Sequence, residues 1–216
     1  MPVLMPESEP QPEPQWLTWA RQLQAHAQNG LTYSRDPYDL ERFQALRELA
    51  AEIMARYTQV DPQMLIGMFE RETGYATPKV DVRAAVFRDD RILLVREKSD
   101  GGWTLPGGWA DTGQTPAENV AREVFEETGY HARAVKLLAV YDRSRHGHPP
   151  LAWYVYKLIF RCELLGGAAA ESIETDGAGF FAAGELPPLS LTRVMPAQIA
   201  RLFEHYRHPE WPADFD

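Results

Sequence analysis

Three glutamates at helical spacing are the residues of this sequence best suited to chemistry. Glu123, Glu126 and Glu127 lie in a segment whose pattern predicts a helix over residues 115–128. At about 100° per residue, their carboxylates gather on one side and the apolar side chains lie nearly opposite. Like charges at these spacings destabilise a helix by roughly 0.2–0.5 kcal/mol per pair. A divalent cation would relieve that repulsion, and a set of oxygen ligands suits Mg²⁺.

A glycine-rich segment runs into the amino end of this predicted helix. It contains Pro106-Gly107-Gly108 and, further on, Thr112-Gly113. Backbone N–H groups and the helix dipole favour anions at a helix start, so the loop and helix together can hold metal and phosphate. Thr115 and Glu118 fit a capping box at the start of the helix, and Gly129 is placed to end it.

The order of these residues resembles the Nudix box, the signature of hydrolases that act on a nucleoside diphosphate linked to another group. The family pattern is glycine, five residues, glutamate, seven residues and then Arg-Glu-U-x-Glu-Glu-x-Gly-U, in which U is apolar. Here Gly108 is followed by five residues, Gln114, seven residues and the segment REVFEETGY over 122–130. Gln114 departs from the family glutamate, since it keeps hydrogen-bonding ability but lacks the charge.

The resemblance implies roles for the matching residues. The ligands of Mg²⁺ or Mn²⁺ would be Glu123, Glu126, Glu127 and the carbonyl group of Gly108. Arg122 is interpreted as a partner that orients a ligand carboxylate, and Gln114 would lie in the same surroundings. Glu127, or Glu174 on a later loop, would accept the proton of the attacking water. Without a metal, the three glutamates would be a solvated acidic helix face.

Three residues outside the box are candidates for binding substrate. Arg83 interrupts a predicted strand, so it either binds a substrate phosphate or pairs with a carboxylate at the edge of the core. Arg143 lies in a basic loop over 141–150 and either contacts phosphate or is surface charge. Tyr33 is one of several aromatic residues that either stack on a base or pack in the core.

The first part of the chain predicts a small all-α domain. Residues 1–14 contain five of the 17 prolines and predict a disordered tail. The segment 15–76 predicts three helices, which begin near Trp16, Asp36-Pro37 and Asp61-Pro62 and end near Asn29-Gly30, Tyr57 and Thr73-Gly74. This extension is similar to that of the Nudix subgroup typified by CDP-choline pyrophosphatase, which implies a homodimer.

The second part, residues 77–216, predicts a domain of strands and two helices. A period of two begins at Lys79 and predicts a hairpin to Val95, with later strands over 134–141, 153–163 and 178–181 and a closing helix over 196–206. The fold class is α+β. The resemblance implies a Nudix αβα sandwich, a mixed sheet between helices.

Composition bounds the class of protein. The chain has 216 residues, a net charge of −9 and 44% hydrophobic residues, which predicts a globular protein and argues against a duplex DNA binder. A lone cysteine, Cys162, and the absence of an apolar run of ~18 residues predict a cytoplasmic protein with no membrane partner.

The predicted activity is hydrolysis of the pyrophosphate of a small nucleotide substrate. The resemblance points to CDP-choline or a similar nucleoside diphosphate derivative, which would release a nucleoside monophosphate. The alternatives are hydrolysis of ADP-ribose, a dinucleotide or an RNA end, and a Nudix-fold sensor that binds nucleotides without catalysis.

Overall fold

Two units divide the described chain, which comprises residues 13–170 and 172–216 of a computed structural model. One unit contains the described residues up to Pro78 and the segment Pro150–Tyr154, and the other contains Lys79–Pro149 and Val155–Asp216. The tail predicted over residues 1–14 lies outside the described residues, apart from Glu13 and Pro14. Within the described residues, every helix is too short or too polar to cross a membrane.

The first unit is helical. Its helices are α1 (Gln15–Tyr33), α2 (Pro37–Thr58) and α3 (Pro62–Glu70). Asp36 and Asp61 cap α2 and α3 with their carboxylates, and a proline follows each, as the sequence predicts. A small core forms around Leu17, Met54 and Phe69.

Two predicted helix ends in this unit are wrong. Helix α1 continues through Asn29-Gly30 to Tyr33, and α3 ends at Glu70, before Thr73-Gly74. Gly30 serves close packing, because a Cβ atom there would lie 2.3 Å from the ring of Phe43 on α2. The glycine therefore permits a close approach of two helices and does not end one.

The second unit contains one mixed sheet. Its strands are β1 (Lys79–Arg88), β2 (Arg91–Glu97), β3 (Trp103–Thr104), β4 (Gly107–Trp109), β5 (Tyr130–Asp142), β6 (Val155–Gly167), β7 (Thr175–Ala182) and β8 (Asp214–Phe215). The order β3-β2-β1-β6-β5-β8 forms the main path, β4 pairs with β1, and β7 pairs with β2. Strands β1 and β6 are parallel, and β5 and β6 are antiparallel.

Two helices cover the faces of this sheet. Helix α4 (Pro116–Thr128) packs Val120 and Val124 on one face, and α5 (Pro196–Arg207) packs Ile199 and Leu202 on the other. These layers confirm the predicted α+β class with its αβα sandwich.

The strands differ in detail from the sequence-based expectation. Strand β6 begins at Val155, because the preceding residues belong to the helical unit, where Trp153 packs edge-on against Phe69. Strand β5 extends the predicted range at both ends. The short strands β3, β4 and β8 and the 3₁₀ turn Arg143–Arg145 are additions that the sequence pattern does not reveal.

Candidate active site

Helix α4 is specified at both ends, as the sequence predicts. The Thr115 hydroxyl accepts a hydrogen bond from the Glu118 N–H at 3.2 Å, and the Glu118 carboxylate accepts one from the Thr115 N–H at 2.8 Å. Gly129 ends the helix in the left-handed region, with φ of 74°. The start and rotation of the helix are therefore fixed, and with them the side on which its glutamates lie.

The three glutamates differ in exposure. Glu127 is 5% exposed, whereas the side chain of Glu123 is 13% exposed and that of Glu126 is 53% exposed. The set thus runs from the solvent edge of the helix to its interface with the sheet. A cation bound to the outer carboxylates would have a buried carboxyl group beside it.

Glu127 occupies a buried site, where one backbone N–H donates to its carboxylate among the described residues. Its Oε2 accepts a hydrogen bond from the Gly107 N–H at 2.8 Å. Burial raises the pKa of Glu127 to about 8, although the Arg83 charge and the Gly107 N–H oppose the shift. A carboxyl group with a pKa near neutrality can take up and release a proton at physiological pH.

The glycine-rich segment forms part of the sheet. Gly107 and Gly108 belong to β4, where they pair with Arg83 and Val82 of β1. Gly107 has φ of 137°, and a Cβ atom there would lie 2.0 Å from the Val82 carbonyl oxygen, so only glycine fits. A Cβ atom on Gly108 would lie 3.3 Å from Oε2 of Glu123. The strand thus brings its backbone beside two of the three glutamates.

Arg122 connects the outer glutamates. Its guanidinium donates to Glu123 at 2.9 Å and to Glu126 at 2.5 Å. It also donates to Asp111 at 2.8 Å and to Oε1 of Gln114 at 3.2 Å. The structure therefore places Arg122 and Gln114 around the carboxylates as neighbours, where Arg122 restricts their orientation.

Arg83 is buried beside Glu127. Its Nε donates to Asp81 at 2.9 Å, and one Nη donates to the Leu105 carbonyl at 3.0 Å. Asp81 also accepts a hydrogen bond from Lys157 on the neighbouring strand β6. Of the two roles predicted for Arg83, pairing with a carboxylate is therefore observed. Contact of Arg83 with a substrate phosphate stays a prediction.

The other predicted residues lie in different surroundings. Arg143 is 5% exposed and donates hydrogen bonds to the carbonyl groups of Thr192 and Pro149. These hydrogen bonds fix the backbone of the surrounding loops. Glu174 is exposed and immediately precedes β7. Tyr33 is exposed at the end of α1 in the helical unit.

Two polar residues near Glu127 were missed by the sequence analysis. The Thr175 hydroxyl donates to the Glu127 carbonyl oxygen at 2.8 Å and ties β7 to the end of α4. Glu97, at the end of β2, is buried and pairs with Arg193 at 2.9 Å. Burial raises the pKa of Glu97, while Arg193 and Arg83 oppose that shift. A carboxylate two residues after the apolar run Ile92–Val95, separated from it only by Arg96, was the available signal for Glu97.

Comparison with known families accounts for both units. Residues 77–203 match the NUDIX domain, and residues 14–69 match a domain described as the UDP-X-like, N-terminal oligomerisation domain. The chain belongs to the Nudix hydrolase family. The Nudix box and the helical extension identified in the sequence are thereby confirmed, and the enzyme is a hydrolase of nucleoside diphosphate-linked compounds.

Two relatives of this Nudix enzyme cover nearly the whole chain, and a third covers about two thirds of it. A putative ADP-ribose pyrophosphatase, YjhB of Bacillus subtilis, is 46% identical over 93% of this chain and 97% of its own length. The crystal structure of a UDP-X diphosphatase superposes with a TM-score of 0.61 and 33% identity, covering 93% of this chain and 98% of that one. An ADP-ribose pyrophosphatase of Streptococcus suis has a TM-score of 0.59 and 43% identity, covering 65% and 100%.

Proposed function

We propose that this Nudix hydrolase uses a divalent cation, Mg²⁺ or Mn²⁺, to cleave the pyrophosphate of a nucleoside diphosphate linked to a second group. The products would be a nucleoside monophosphate and a second phosphorylated compound. The observation that carries the proposal is the position of buried Glu127, hydrogen-bonded to the Gly107 N–H behind two more exposed glutamates of the same helix.

The donor atoms suit a hard cation. Among the described residues, no three His, Cys, Asp or Glu side chains already converge as a metal site. Arg122 holds one carboxylate oxygen of Glu123 and one of Glu126. In the described part of the chain, the second oxygen of each carboxylate makes no hydrogen bond, and that of Glu123 faces Gly108. Oxygen ligands of this kind fit Mg²⁺ or Mn²⁺.

The proposed ligands are Glu123, Glu126, Glu127 and the Gly108 carbonyl. A bound cation would neutralise phosphate charge and lower the pKa of a water molecule. Glu127 would accept the proton of the attacking water in its ionised form, which the cation and the Arg83 charge would favour, and the Gly107 N–H fixes one of its oxygens. Glu174 is the second candidate for that role. The charge of Arg83 would stabilise ionised Glu127 and the phosphoryl oxygens.

A substrate panel tests this proposal. Purified enzyme would be incubated with ADP-ribose, a UDP-sugar or CDP-choline, each with Mg²⁺, with Mn²⁺ or with a chelator, and the products identified by mass. We expect a nucleoside monophosphate from at least one compound and only when metal is present. Glu163→Gln, which changes an exposed glutamate on β6, is the matched control for the site variants.

The names of the relatives support ADP-ribose as the first compound to test. The UDP-X-like description of the matched N-terminal domain and the UDP-X diphosphatase structure support a UDP-linked compound. The resemblance of the helical extension that the sequence shows supports CDP-choline. If none of these compounds yields product but a dinucleotide or a capped RNA end does, the result would support the alternative substrates. Calorimetric binding of nucleotide without any product would contradict catalysis and support the sensor.

We also propose that the enzyme is a homodimer formed through its helical unit. The matched family is described as an oligomerisation domain, and Trp19 and Tyr38 are 57% and 69% exposed on the described surface of that unit. Trp19→Glu should shift the protein towards monomer in sedimentation velocity. Tyr75→Glu, at an exposed residue outside the helices, is the control and should leave the dimer intact. A dimer unaffected by Trp19→Glu would place the interface elsewhere.

A further inference from the structure

Beneath the candidate active site, the sheet contains a group of buried charges, two of which, Asp81 and Lys157, have no role in the proposed reaction. Asp81, Arg83 and Lys157 are 4%, 6% and 2% exposed. The parallel pairing of β1 and β6 places Asp81 directly opposite Lys157. The pairing of β1 with β4 places Arg83 opposite Gly107, whose N–H donates to Glu127. The three charges thus form a row from β6 to the active-site strand.

Asp81 is the centre of this row. One of its carboxylate oxygens accepts a hydrogen bond from Lys157, and the other accepts one from Nε of Arg83 at 2.9 Å. Each cation therefore has its own oxygen, and neither can move without leaving a buried charge uncompensated. Burial lowers the pKa of Lys157 to about 8, while Asp81 opposes that shift.

Arg83 connects the row of charges to the active site. With Nε held by Asp81, its Nη1 donates to the carbonyl of Leu105, two residues before Gly107. The guanidinium charge also acts on Glu127. Among the described residues, neither Asp81 nor Lys157 has a hydrogen bond or ion pair with the three box glutamates.

A contribution to stability is a weak explanation for this arrangement. A buried ion pair loses hydration energy that its attraction barely offsets, and apolar residues of similar volume often serve stability as well or better. A planar guanidinium held at two edges, by contrast, is fixed in orientation. The geometry is thus better suited to fixing Arg83 than to stabilising the sheet.

We propose that Asp81 and Lys157 are positioning residues, which act through Arg83 to hold the Gly107 strand and Glu127 in the arrangement that turnover requires. The inference rests on the proposed function for its kinetic consequence. Its structural part, the fixed orientation of Arg83, can be measured without substrate or metal.

The kinetic test compares two variants in two backgrounds. We expect Asp81→Asn and Lys157→Met each to lower kcat about tenfold and to leave KM within twofold, since neither residue reaches substrate. In an Arg83→Met background, the same changes should alter kcat by less than twofold, because they act through Arg83. Equal losses in both backgrounds, an unchanged kcat in the native background, or a rise in KM with kcat retained would each overturn the inference.

A second measurement separates positioning from folding and from the proposed function. Hydrogen exchange of the Arg83 Nε–H would be followed by NMR in the metal-free protein, with Arg83→Met used to assign the signal. We expect Asp81→Asn and Lys157→Met to accelerate this exchange at least tenfold, and unchanged exchange would overturn the inference. A native protein that cleaves none of the substrates would reject the proposed function, whichever result the exchange gives.

Two precautions keep the test decisive. Asp81→Asn keeps the side-chain volume and carries the test alone if Lys157→Met does not fold, as judged by circular dichroism. Arg133→Met is the matched control, because Arg133 on β5 pairs with Glu163 on β6 at 2.7 Å at the exposed surface of the same sheet. It should leave kcat and the Arg83 exchange unchanged, and a tenfold effect of this control on either would overturn the inference.

Discussion

Two carboxylates of the sheet unit, Glu127 and Asp214, each lie near an arginine but have opposite properties. Asp214, on β8, accepts hydrogen bonds from Arg201 at 2.7 and 2.8 Å, from Tyr141 at 3.0 Å and pairs with His205 at 3.0 Å. Hydrogen bonds from Arg201 hold the pKa of Asp214 well below its usual range. Burial instead raises the pKa of Glu127 to about 8.

The difference lies in the number of donors. Asp214 has a direct donor for each of its oxygens, so its charge is compensated and its position is fixed. Glu127 has one backbone N–H, and its nearest cation, Arg83, is bound to Asp81 and Leu105. A carboxylate with all its donors stabilises the fold, whereas one with few donors is available for a proton or a cation.

The largest expected effect is on activity at Glu127. Glu127→Gln should lower kcat/KM by about 10²- to 10⁴-fold, the usual range for a lost general base. The melting temperature should be unchanged or higher, because the variant removes a carboxyl group that is costly to bury in its charged form. Both values would be measured on one preparation, with Glu163→Gln as the control. Retained activity would show that Glu127 is not the base.

The next effect concerns metal affinity. Arg122→Met should weaken apparent activation by Mg²⁺ by about 10- to 100-fold, because Arg122 orients the carboxylates of Glu123 and Glu126. Activity would be titrated against Mg²⁺, with kcat at saturation expected to stay within threefold. Arg133→Met is again the control. Tighter activation by Mg²⁺ would show that Arg122 competes with the metal for the carboxylates.

Substitution of Asp214 should have the reverse effect, because it should lower the stability of the protein and leave its activity unchanged. Asp214→Asn removes charged hydrogen bonds and should lower the free energy of unfolding by about 1–3 kcal/mol. At roughly 2–4 °C per kcal/mol, the melting temperature should fall by about 2–12 °C. The kcat should stay within twofold. Glu210→Gln, an exposed change near the same terminus, should leave the melting temperature unchanged. A large loss of kcat would remove the contrast with Glu127.

The stability difference at Asp214 should also depend on pH. Because the folded-state pKa of Asp214 is lowered, its stabilisation is fully present above the unfolded pKa of about 3.9 and is lost as pH falls through the folded value. The difference between native protein and Asp214→Asn should therefore be constant between about pH 5 and 7 and shrink below about pH 4. A difference that grows on acidification would contradict this account.

The smallest effect is expected at Gln114. Gln114→Glu restores the residue that the Nudix box usually has, but the side chain is exposed and its contact is with Arg122 at 3.2 Å. An exposed ion pair contributes up to about 1 kcal/mol, so kcat/KM should change by less than about fivefold. A gain of 100-fold or more would show that position 114 takes a direct part in the reaction.

The sequence was most informative where local rules are strong. The capping box of α4 and the prolines after Asp36 and Asp61 predicted three helix starts, because each signal acts within a few residues. The same local reasoning failed at Gly30. Its neighbour is Phe43 on another helix, and that contact depends on tertiary packing, which a pattern along the chain does not contain.

The candidate site likewise contains features that local rules predict and features that depend on tertiary packing. Spacing alone placed Glu123, Glu126 and Glu127 on one helix side, since all three belong to one element. The row of Asp81, Arg83 and Lys157 required the register between β1 and β6, which brings together residues 76 positions apart. Lys157 was visible in the sequence as a charge within an apolar run, without an indication of its partner.

The strand β8 has a practical consequence. The matched NUDIX domain ends at residue 203, but Asp214 and Phe215 lie beyond it and pair with Ala139 and Val140 of β5 at the end of the main sheet path. A protein shortened to the family boundary would lose this pairing and leave the backbone groups of β5 near Ala139 and Val140 open to other chains. Expression designs that trim this terminus should therefore produce aggregates, and the final residues are best kept whole.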